Sequence, residues 1–356
     1  MWYRAAPPPA LLRPLAALFA AGVRVRRAAY ARGWLRVHRL ARPVVVVGNL
    51  TVGGSGKTPL VIWLAAQLRA AGLAPGIVLR GYGGKAARGG NPLLVQPDSD
   101  PASVGDEALL LRRRTGEAVA TGRDRAAAAR LLLAQGVDVV IADDGLQHLA
   151  LARNFEIAVV DGERGFGNGY LLPAGPLRET PARLTEVDAV VINGQGRYWR
   201  QLTAGEGAAA EGAVPRLVLP AAGLRPFTMR VSGDRLIALD GGRATMPLSQ
   251  LAGRRVHAVA AIGNPERFFS QLRAAQLEVI DHAFRDHHRF RSDELAFGDG
   301  LPLLMTEKDA VKCGQLGLSD AWYLPVSAGF DAAEATALTA RVRRAIEAAA
   351  RHQAGE

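Results

Sequence analysis

The segment VVVVGNLTVGGSGKTP, residues 44–59, decides the fold of this chain. It begins as a run of β-branched residues, passes through a glycine-rich turn and enters a helix. The phosphate-binding pattern G-x-x-x-x-G-K-[ST] is complete from Gly56 onward, but Thr51 occupies the position of its first glycine. Gly53 and Gly54 can provide the missing backbone freedom two residues later. The segment therefore predicts a P-loop between a buried strand and a helix.

The predicted loop can surround the phosphates of a nucleotide. Backbone amides from Gly53 to Thr58 and the positive end of the helix face the phosphates, and Lys57 reaches the β and γ oxygens. The hydroxyl of Thr58 is placed to face Mg²⁺. Lys57 stands out because only four of the 44 Lys and Arg residues are lysines. The predicted nucleotide-binding residues are Thr51, Val52, Gly53, Gly54, Ser55, Gly56, Lys57 and Thr58.

A second acidic group is expected at the end of a neighbouring strand. The run VDVVIADDGLQH, residues 137–148, places Asp143 and Asp144 at that point. Adjacent carboxylates can cap a loop, but downstream of a P-loop they are expected to hold the hydration shell of Mg²⁺. ATP is favoured over GTP by elimination, because the sequence has no N-K-x-D base-reading motif and TEKD, residues 306–309, has a different spacing. We therefore predict ATP and Mg²⁺ as cofactors.

The rest of the chain alternates short apolar runs with Ala/Leu-rich helical stretches, which predicts an α/β fold with a parallel sheet. The predicted core is a P-loop NTPase sheet in a three-layer α/β/α arrangement. Its strands are predicted near residues 43–48, 76–80, 117–121, 137–142, 156–161 and 188–193, and its helices near 58–72, 106–113, 124–135 and 181–186. The turn-rich segment 84–104 is a possible substrate lid.

A smaller second α/β domain is predicted after a connector at residues 196–255, which contains the β-like pieces PRLVLP (215–220) and DRLIALD (234–240). Its elements are predicted as a strand, turn and helix over 256–276, strands near 277–281, 301–305 and 322–326, and a helix over 331–351. The predicted domains are 1–40 for an N-terminal amphipathic helix, 41–225 for the P-loop domain and 226–356 for the smaller domain.

Composition limits the class of protein. The single cysteine, Cys313, excludes a disulfide framework and a four-cysteine zinc site, which favours a reducing compartment. The net charge of +11 could indicate nucleic acid or an anionic membrane. Abundant arginine and alanine are also what a GC-rich genome produces. Because aromatic residues make up only 6% of the chain and form no base-stacking pattern, we expect no nucleic-acid partner.

The N-terminal segment favours an anionic membrane surface. Residues 8–23 are apolar, but Arg13 and Pro14 interrupt them and they are shorter than the ~20 residues that span a bilayer. The following residues 24–42 alternate arginines with Tyr30 and Trp34, as in a helix lying among lipid headgroups. A cleaved signal peptide and an ordinary core helix are the alternative interpretations.

Six further polar segments fall at predicted strand ends, where a phosphotransferase needs a base and cations. They are RGYGG (80–84), SVGDEALLL (103–111), GRDR (122–125), GNGYLLPAGPLRE (167–179), RDHHRF (285–290) and TEKD. Asp106 could cap a helix or act as a base. His287 and His288 could be surface residues, but in a chain with seven histidines His287 is a candidate partner for the base.

Together these motifs resemble the tetraacyldisaccharide 4'-kinase family of Gram-negative bacteria, and they follow one another along the chain in that family's order. The resemblance covers nearly the whole chain. The Thr-first P-loop belongs to that family's pattern. The resemblance implies transfer of the γ-phosphate of ATP to the 4'-hydroxyl of tetraacyldisaccharide 1-phosphate, giving lipid IVA in lipid A biosynthesis. It also implies a peripheral enzyme at the cytoplasmic face of the inner membrane, and we expect a monomer.

The resemblance also implies roles for single residues. Asp106 is the catalytic carboxylate and His287 its partner from the second domain, while Arg125 and Arg178 stabilise the migrating phosphoryl group. Residues near Mg²⁺ are Thr58, Glu107, Asp143 and Asp144. Those at the acceptor sugar or its 1-phosphate are Arg80 and Tyr82. His148, Glu307, Lys308 and Asp309 receive no role.

Two other functional classes remain open from the residues alone. A metal-dependent ATPase, or a small-molecule enzyme of the dethiobiotin-synthetase type, would share the P-loop and the Asp-rich strand end without needing the arginine-rich start. A nucleic-acid-binding module would explain only the charge, and it predicts salt-sensitive binding to DNA or RNA.

Overall fold

The computed structural model describes residues 2–3, 7–194, 225–239 and 244–354. The predicted β-like piece at 215–220 lies outside these residues. Eight α-helices are described: α1 Leu12–Ala31, α2 Lys57–Ala70, α3 Pro101–Val104, α4 Asp106–Thr115, α5 Arg125–Leu133, α6 Pro265–Ala274, α7 Glu307–Cys313 and α8 Ala332–Ala354. Short 3₁₀ helices cover Lys85–Arg88, Pro181–Glu186, Leu248–Leu251 and Ser292–Glu294.

A nine-stranded sheet holds the P-loop. Its strands are β1 Val44–Gly48, β2 Pro75–Leu79, β3 Leu93–Leu94, β4 Ala118–Thr121, β5 Val139–Asp143, β6 Phe155–Asp161, β7 Ala189–Asn193, β8 Phe227–Ser232 and β15 Ser327–Gly329. Their spatial order is β15-β8-β7-β6-β1-β5-β2-β4-β3. All neighbours are parallel except for the antiparallel edge pairs β3–β4 and β8–β15. The predicted parallel α/β core is confirmed.

Strand β1 lies at the centre of this sheet because its side chains are apolar on both faces. All five of its residues are buried, and β5 and β6 pair with it on either side. Continuous apolar strands of this kind need helices on both faces of the sheet. Helices α2, α4 and α8 pack on one face and α5 on the other. The register pairs Val47 with Asp143, so β1 and β5 end side by side at the P-loop.

A second sheet has six strands in the order β10-β9-β14-β13-β11-β12. They are β9 Arg235–Ala238, β10 Thr245–Pro247, β11 Arg255–Ala260, β12 Glu278–Ala283, β13 Leu303–Thr306 and β14 Ala321–Leu324. Strands β11 to β14 are parallel, while β9 and β10 run antiparallel at one edge. Helix α6 packs against one face and α7 against the other.

Two expectations about the chain's organisation differ from this arrangement. The predicted connector at 196–255 carries strands β8, β9 and β10 in its described part. Strand β9 lies within the predicted β-like piece at 234–240, whereas β8 and β10 were not predicted. Their alternation of buried and exposed positions is weak, because they lie at or near sheet edges. Strands β8 and β15 and helix α8 join the P-loop sheet although they follow residue 225. The apolar side chains Leu338, Val342 and Ile346 draw α8 into that core.

Helix α1 and its N-cap residue Leu11 expose several large apolar side chains. Leu11 is 81% exposed, Leu18 70% and Val25 67%, whereas Ala16 is the only described residue of the helix that is buried. Arg27 attaches the helix to the body of the protein through ion pairs with acidic residues near the 3₁₀ turn Pro181–Glu186. Among the described residues, no helix combines the length and apolar character needed to cross a bilayer.

Candidate active site

The P-loop follows β1 and ends at α2, and its geometry explains which positions need glycine. Gly53 and Gly56 have φ angles of 110° and 95°, in the left-handed region. A Cβ on Gly56 would lie 2.3 Å from the side-chain Nδ2 of Asn193, so a larger residue would have to displace that buried side chain in addition to adopting a strained backbone angle. Thr51 instead forms an antiparallel bridge with Leu177. Because that conformation is extended, a threonine is accommodated where the general pattern has its first glycine.

Lys57 and Asp144 meet beneath the loop. The Nζ of Lys57 lies 3.0 Å from Asn49 Oδ1 and 3.5 Å from Asp144 Oδ1. Arg178 donates to both carboxylate oxygens of Asp144 at 2.8 and 3.0 Å, and Arg125 donates to its carbonyl at 2.8 Å. Burial alone would raise the pKa of Asp144, but the charges of Lys57 and Arg178 hold it far below its ordinary value. Asp144 is therefore an anion surrounded by cations.

Asp143 has the opposite environment. It is the last residue of β5, 3% exposed, and its Oδ1 has no hydrogen-bond partner among the described residues. Burial and the nearby carboxylate of Glu107 raise the pKa of Asp143 to about 7. An orphaned buried carboxylate oxygen in this position is suited to a divalent cation, which would restore its charge and supply the missing partner. Thr58 and Glu107 line the same cavity.

Asp106 and His287 form a pair across the two sheets. The Nδ1 of His287 lies 3.0 Å from Asp106 Oδ2 and 3.2 Å from Oδ1, so this nitrogen carries the proton and donates it. Burial opposes ionisation of Asp106, but the hydrogen bond from His287 and the charge of Lys308 keep its pKa below the ordinary value. Burial likewise opposes the cation on His287, yet Asp106 raises the pKa of the ring. His288 contacts Glu294 instead, at 3.1 Å.

Tyr82 covers the His287 ring. The two ring centroids are 4.8 Å apart and the ring planes are inclined by 47°. Tyr82 remains 61% exposed, so its other face is open to a ligand. Arg80 lies two residues earlier, at the end of β2, and lines the same cavity. The RGYG turn therefore places one cation and one aromatic ring beside the Asp106–His287 pair.

A single cavity of about 900 Å³ connects these groups. Of the residues predicted for the site, those lining it are Val52, Gly53, Gly54, Ser55, Gly56, Lys57, Thr58, Arg80, Tyr82, Glu107, Arg125, Asp143, Asp144, Arg178 and His287. Thr51 and Asp106 do not line it. Asp106 lines a neighbouring cavity of about 880 Å³, and His287 lines both cavities. The cavity lies at the carboxyl ends of the parallel strands, where ligands bind in α/β sheets.

The structure adds residues that the motifs did not indicate. Asn49 accepts a hydrogen bond from Lys57, and Asn193 donates to the carbonyl of Ser55 while accepting from Arg267. Asn49 follows the buried strand β1, and Asn193 is the last residue of the buried strand β7. A polar residue at the end of an apolar strand is the feature of the sequence that could have indicated both. Arg164 reaches from the P-loop sheet to the Gly263 carbonyl of the second sheet at 3.1 Å. These contacts attach the second sheet directly to the loop.

Several basic residues without a predicted role also line the cavity. Arg26 comes from α1 and Arg123 from the GRDR segment, and His148 follows the Asp143–Asp144 pair. Burial, together with the charges of Arg125 and other arginines, lowers the pKa of His148 to about 4, so its ring is neutral at pH 7. Only the arginines therefore add positive charge at this end of the cavity.

Comparisons with known proteins agree on one family. The family model for tetraacyldisaccharide-1-P 4'-kinase matches residues 9–346. The tetraacyldisaccharide 4'-kinase of Alkalilimnicola ehrlichii is 49% identical over 94% of this chain and 92% of its own length. That of Xanthomonas euvesicatoria is 48% identical over 96% and 95%. The LpxK crystal structure from Aquifex aeolicus, in complex with ATP, is 26% identical with a TM-score of 0.71, covering 94% of this chain and 98% of that one.

Proposed function

Since this chain belongs to the tetraacyldisaccharide-1-P 4'-kinase family, we propose that it transfers the γ-phosphate of ATP to the 4'-hydroxyl of tetraacyldisaccharide 1-phosphate, giving lipid IVA. The observation that carries the proposal is a single cavity that joins the phosphate-binding loop to His287, whose ring is hydrogen-bonded to Asp106. Within it, Lys57 and His287 come from different sheets. The cavity thus has room for a donor phosphate and an acceptor hydroxyl together.

ATP fits the loop end of the cavity. Its phosphates would lie against the backbone amides of Gly53 to Thr58 and against Lys57. Thr58, Glu107, Asp143 and Asp144 would hold Mg²⁺, which when bound neutralises phosphate charge during transfer. Among the described residues, no three His, Cys, Asp or Glu side chains converge as a complete metal site. This suits Mg²⁺, which keeps several water and phosphate ligands and needs few from the protein.

The Asp106–His287 pair would receive the proton of the acceptor hydroxyl. The 4'-oxygen forms a bond to the γ-phosphorus, the bond between that phosphorus and the bridging oxygen of the β-phosphate breaks, and ADP leaves. His287 faces the cavity, while Asp106 holds its ring through Nδ1. Arg125 and Arg178 would stabilise the charge on the transferred group. Because the two members of the pair come from different sheets, the base is complete only when the sheets are docked.

The acceptor's 1-phosphate would bind at the basic end of the cavity. Arg80, Arg123 and Arg26 line it, and the structure gives none of these three side chains an acidic partner within the described residues. A phosphate dianion would neutralise this excess positive charge. Tyr82 would contact the sugar next to His287, as aromatic faces do with pyranose rings.

The lipid would be reached from a membrane surface. Helix α1 exposes Leu11, Leu18 and Val25 and also contributes Arg26 to the cavity. We therefore propose that α1 lies in the headgroup region of the anionic cytoplasmic leaflet of the inner membrane, as a peripheral contact. Such a contact would bring the acceptor headgroup to the cavity while its acyl chains stay in the bilayer. The proposed active species is a monomer.

The direct test is transfer of label from [γ-³²P]ATP with Mg²⁺ to tetraacyldisaccharide 1-phosphate in detergent micelles, with the lipids resolved by thin-layer chromatography. We expect a labelled lipid with the wild-type protein and none with Lys57→Ala or Asp106→Ala. The matched control is Lys85→Ala, because Lys85 is exposed and does not line the cavity. Consumption of ATP with no labelled lipid would refute the assigned acceptor and favour a small-molecule acceptor.

A further inference from the structure

The TEKD segment, which the sequence left without a role, connects the two halves of the proposed base. Lys308 comes from α7 of the second sheet, and its side chain is 15% exposed. Its Nζ lies 3.0 Å from Glu107 Oε1 and 3.1 Å from Asp286 Oδ1. Glu107 directly follows Asp106, and Asp286 directly precedes His287. Lys308 therefore contacts the chain neighbour of each member of the pair.

We propose that Lys308 is a positioning residue that fixes the segments carrying Asp106 and His287 at hydrogen-bonding distance from each other. This inference rests on the proposed function, because it concerns the geometry of the same base. Lys308 touches neither Asp106 nor His287 through a hydrogen bond in the structure. Besides the effect of its charge on Asp106, it fixes their positions through the backbone connections to Glu107 and Asp286.

The rest of the TEKD segment anchors the base of the Lys308 side chain. Thr306 caps α7 by accepting a hydrogen bond from the Asp309 amide at 3.2 Å. The buried carboxylate of Asp309 accepts from the Ala261 amide, just after β11, at 3.0 Å. Glu307 pairs with Arg114 of α4 at 2.8 Å. Helix α7 is thus attached to its own sheet and to α4, and Lys308 extends from a fixed backbone.

The backbone conformation of His287 makes its position depend on contacts with the surrounding residues. Its φ angle is +63°, a left-handed conformation that is uncommon for residues other than glycine, although histidine adopts it more often than most. Such a conformation persists only where the surroundings hold it. The contacts that hold this residue are Asp106 at its own ring, Tyr82 against the ring face and Lys308 on the preceding Asp286. Without Lys308, the backbone at Asp286 is free to relax and the ring can leave Asp106.

The test compares Lys308→Met, Lys308→Arg and Arg114→Met in the full-length protein with saturating acceptor. Arg114→Met is the matched control because it removes the other ion pair between α4 and α7 without touching Glu107 or Asp286. We expect Lys308→Met to lower kcat about 10–100-fold with an unchanged KM for ATP, since a misplaced catalytic group costs rate rather than binding. The kcat of Lys308→Arg should exceed that of Lys308→Met. Arg114→Met should lose clearly less kcat than Lys308→Met, because Asp309 still holds α7 on its own sheet and Lys308 keeps its contacts with Glu107 and Asp286.

A double mutant separates positioning from other roles of the lysine. If Lys308 acts through the pair, Lys308→Met adds little loss in a His287→Ala background, because the pair is already broken. Equal losses in both backgrounds would contradict the proposal. A raised KM for ATP with normal kcat would assign Lys308 to nucleotide binding instead, and an equal loss in Arg114→Met would reduce its role to docking of the sheets.

A spectroscopic measurement gives a readout that activity does not. In protein labelled with ¹⁵N-histidine, the His287 signal, assigned by its loss in His287→Gln, should report a hydrogen-bonded Nδ1 in wild type and lose that signature in Lys308→Met. An unchanged signal would overturn the inference even if activity fell. An inactive wild-type protein would instead refute the proposed function itself, so the two failures are distinguishable.

Discussion

At the scale of single residues, two adjacent carboxylates have opposite electrostatics. Asp144 is surrounded by Lys57, Arg178 and Arg125, and its pKa is far below the ordinary value despite burial. Asp143 is buried next to Glu107 without a hydrogen bond to its Oδ1, and its pKa is raised to about 7. The first is already compensated by protein cations, whereas the second needs a further cation. Asp143 is therefore the residue whose loss should affect the metal most.

We expect Asp143→Asn to raise the Mg²⁺ concentration that gives half-maximal activity by about 10–100-fold, because a neutral amide leaves one charge fewer to hold the cation. The measurement is a Mg²⁺ titration of phosphoryl transfer at fixed ATP. Asp138→Asn is the control, since Asp138 precedes the same strand at its opposite end and accepts from the Ala74 amide. Equal Mg²⁺ requirements in wild type and Asp143→Asn would remove Asp143 from the metal site.

A second prediction concerns the glycine at the start of α2. Gly56→Ala forces a Cβ to within 2.3 Å of Asn193 and places an alanine at φ 95°. We expect a loss of about 1–3 kcal/mol in the free energy of unfolding, together with loss of ATP binding, because the loop must move to relieve the contact. Chemical denaturation and calorimetric titration with ATP measure the two effects.

The control for Gly56→Ala is Gly22→Ala in α1, where a Cβ meets no atom within 4 Å. Since alanine favours helix over glycine, this variant should be at least as stable as wild type. If Gly56→Ala bound ATP normally, the described loop geometry would not be the one that binds the nucleotide.

Single residues also show how much of the site the sequence could predict. Lys57, Thr58, Asp143 and Asp144 follow from local patterns, because a P-loop and a strand end are read within a few residues. The Asp106–His287 contact joins positions 181 residues apart, and only the resemblance to a family suggested it. Lys308 could not be assigned a role from its own segment, because its partners lie 201 and 22 residues away in the chain.

At the scale of elements, the sequence predicted buried strands well and edge strands poorly. The six strands predicted for the P-loop sheet all form, with ends within two residues of the prediction. They are continuous apolar runs, which need burial on both faces. Strands β3, β9, β10 and β15 have two to four residues each and mixed polarity, so their pairing depends on neighbours rather than on their own pattern. The sequence therefore indicated the central strands of both sheets and the edge strand β12, but not the short strands β3, β10 and β15.

Helix α1 supports a prediction about membrane binding. Leu11, Leu18 and Val25 are spaced seven residues apart, so they share one face, and that face is exposed. Burying one leucine in a lipid interface contributes about 1.5–3 kcal/mol. We expect Leu18→Glu to weaken partitioning to vesicles containing anionic lipid by at least about tenfold, measured by co-sedimentation.

The control for this variant is Leu93→Glu, at a partly exposed leucine of β3 away from α1. Activity on acceptor dissolved in detergent should be preserved in Leu18→Glu, since the substitution lies outside the cavity lining. Equal vesicle binding by wild type and Leu18→Glu would show that α1 contacts something other than a membrane.

At the scale of the whole molecule, the two sheets are joined at the active site. Three of the contacts between the sheets lie around the cavity: Asp106–His287, Arg164–Gly263 and Asn193–Arg267. A Cβ on Gly263 would come within 2.8 Å of the Gly54 amide, so the second sheet touches the P-loop backbone itself. Ligands bound in the cavity would contact both sheets. Binding and docking of the sheets are therefore expected to be coupled.

The only cysteine of the chain provides a test of this coupling. Cys313, the last residue of α7, is 1% exposed in the core of the second sheet, and burial raises its pKa to about 12. A thiol in that state does not react until its surroundings open, because the nucleophile is the thiolate. When the protein recloses faster than a thiol reagent reacts at pH 8, the labelling rate of Cys313 therefore reports how often the second sheet opens.

We expect a non-hydrolysable ATP analogue with Mg²⁺, at about 100 times its Kd, to slow this labelling by up to about 100-fold. A ligand that binds only the closed protein adds about 2.7 kcal/mol at that concentration. The full effect requires that opening at Cys313 also abolishes the nucleotide site, which lies mainly on the other sheet. In Lys57→Ala the slowing should disappear, because this variant loses the contact with the phosphates. An unchanged labelling rate in wild type with bound nucleotide would mean that the second sheet opens independently of the nucleotide site. The two sheets would then be joined too weakly for nucleotide binding to assemble the Asp106–His287 pair.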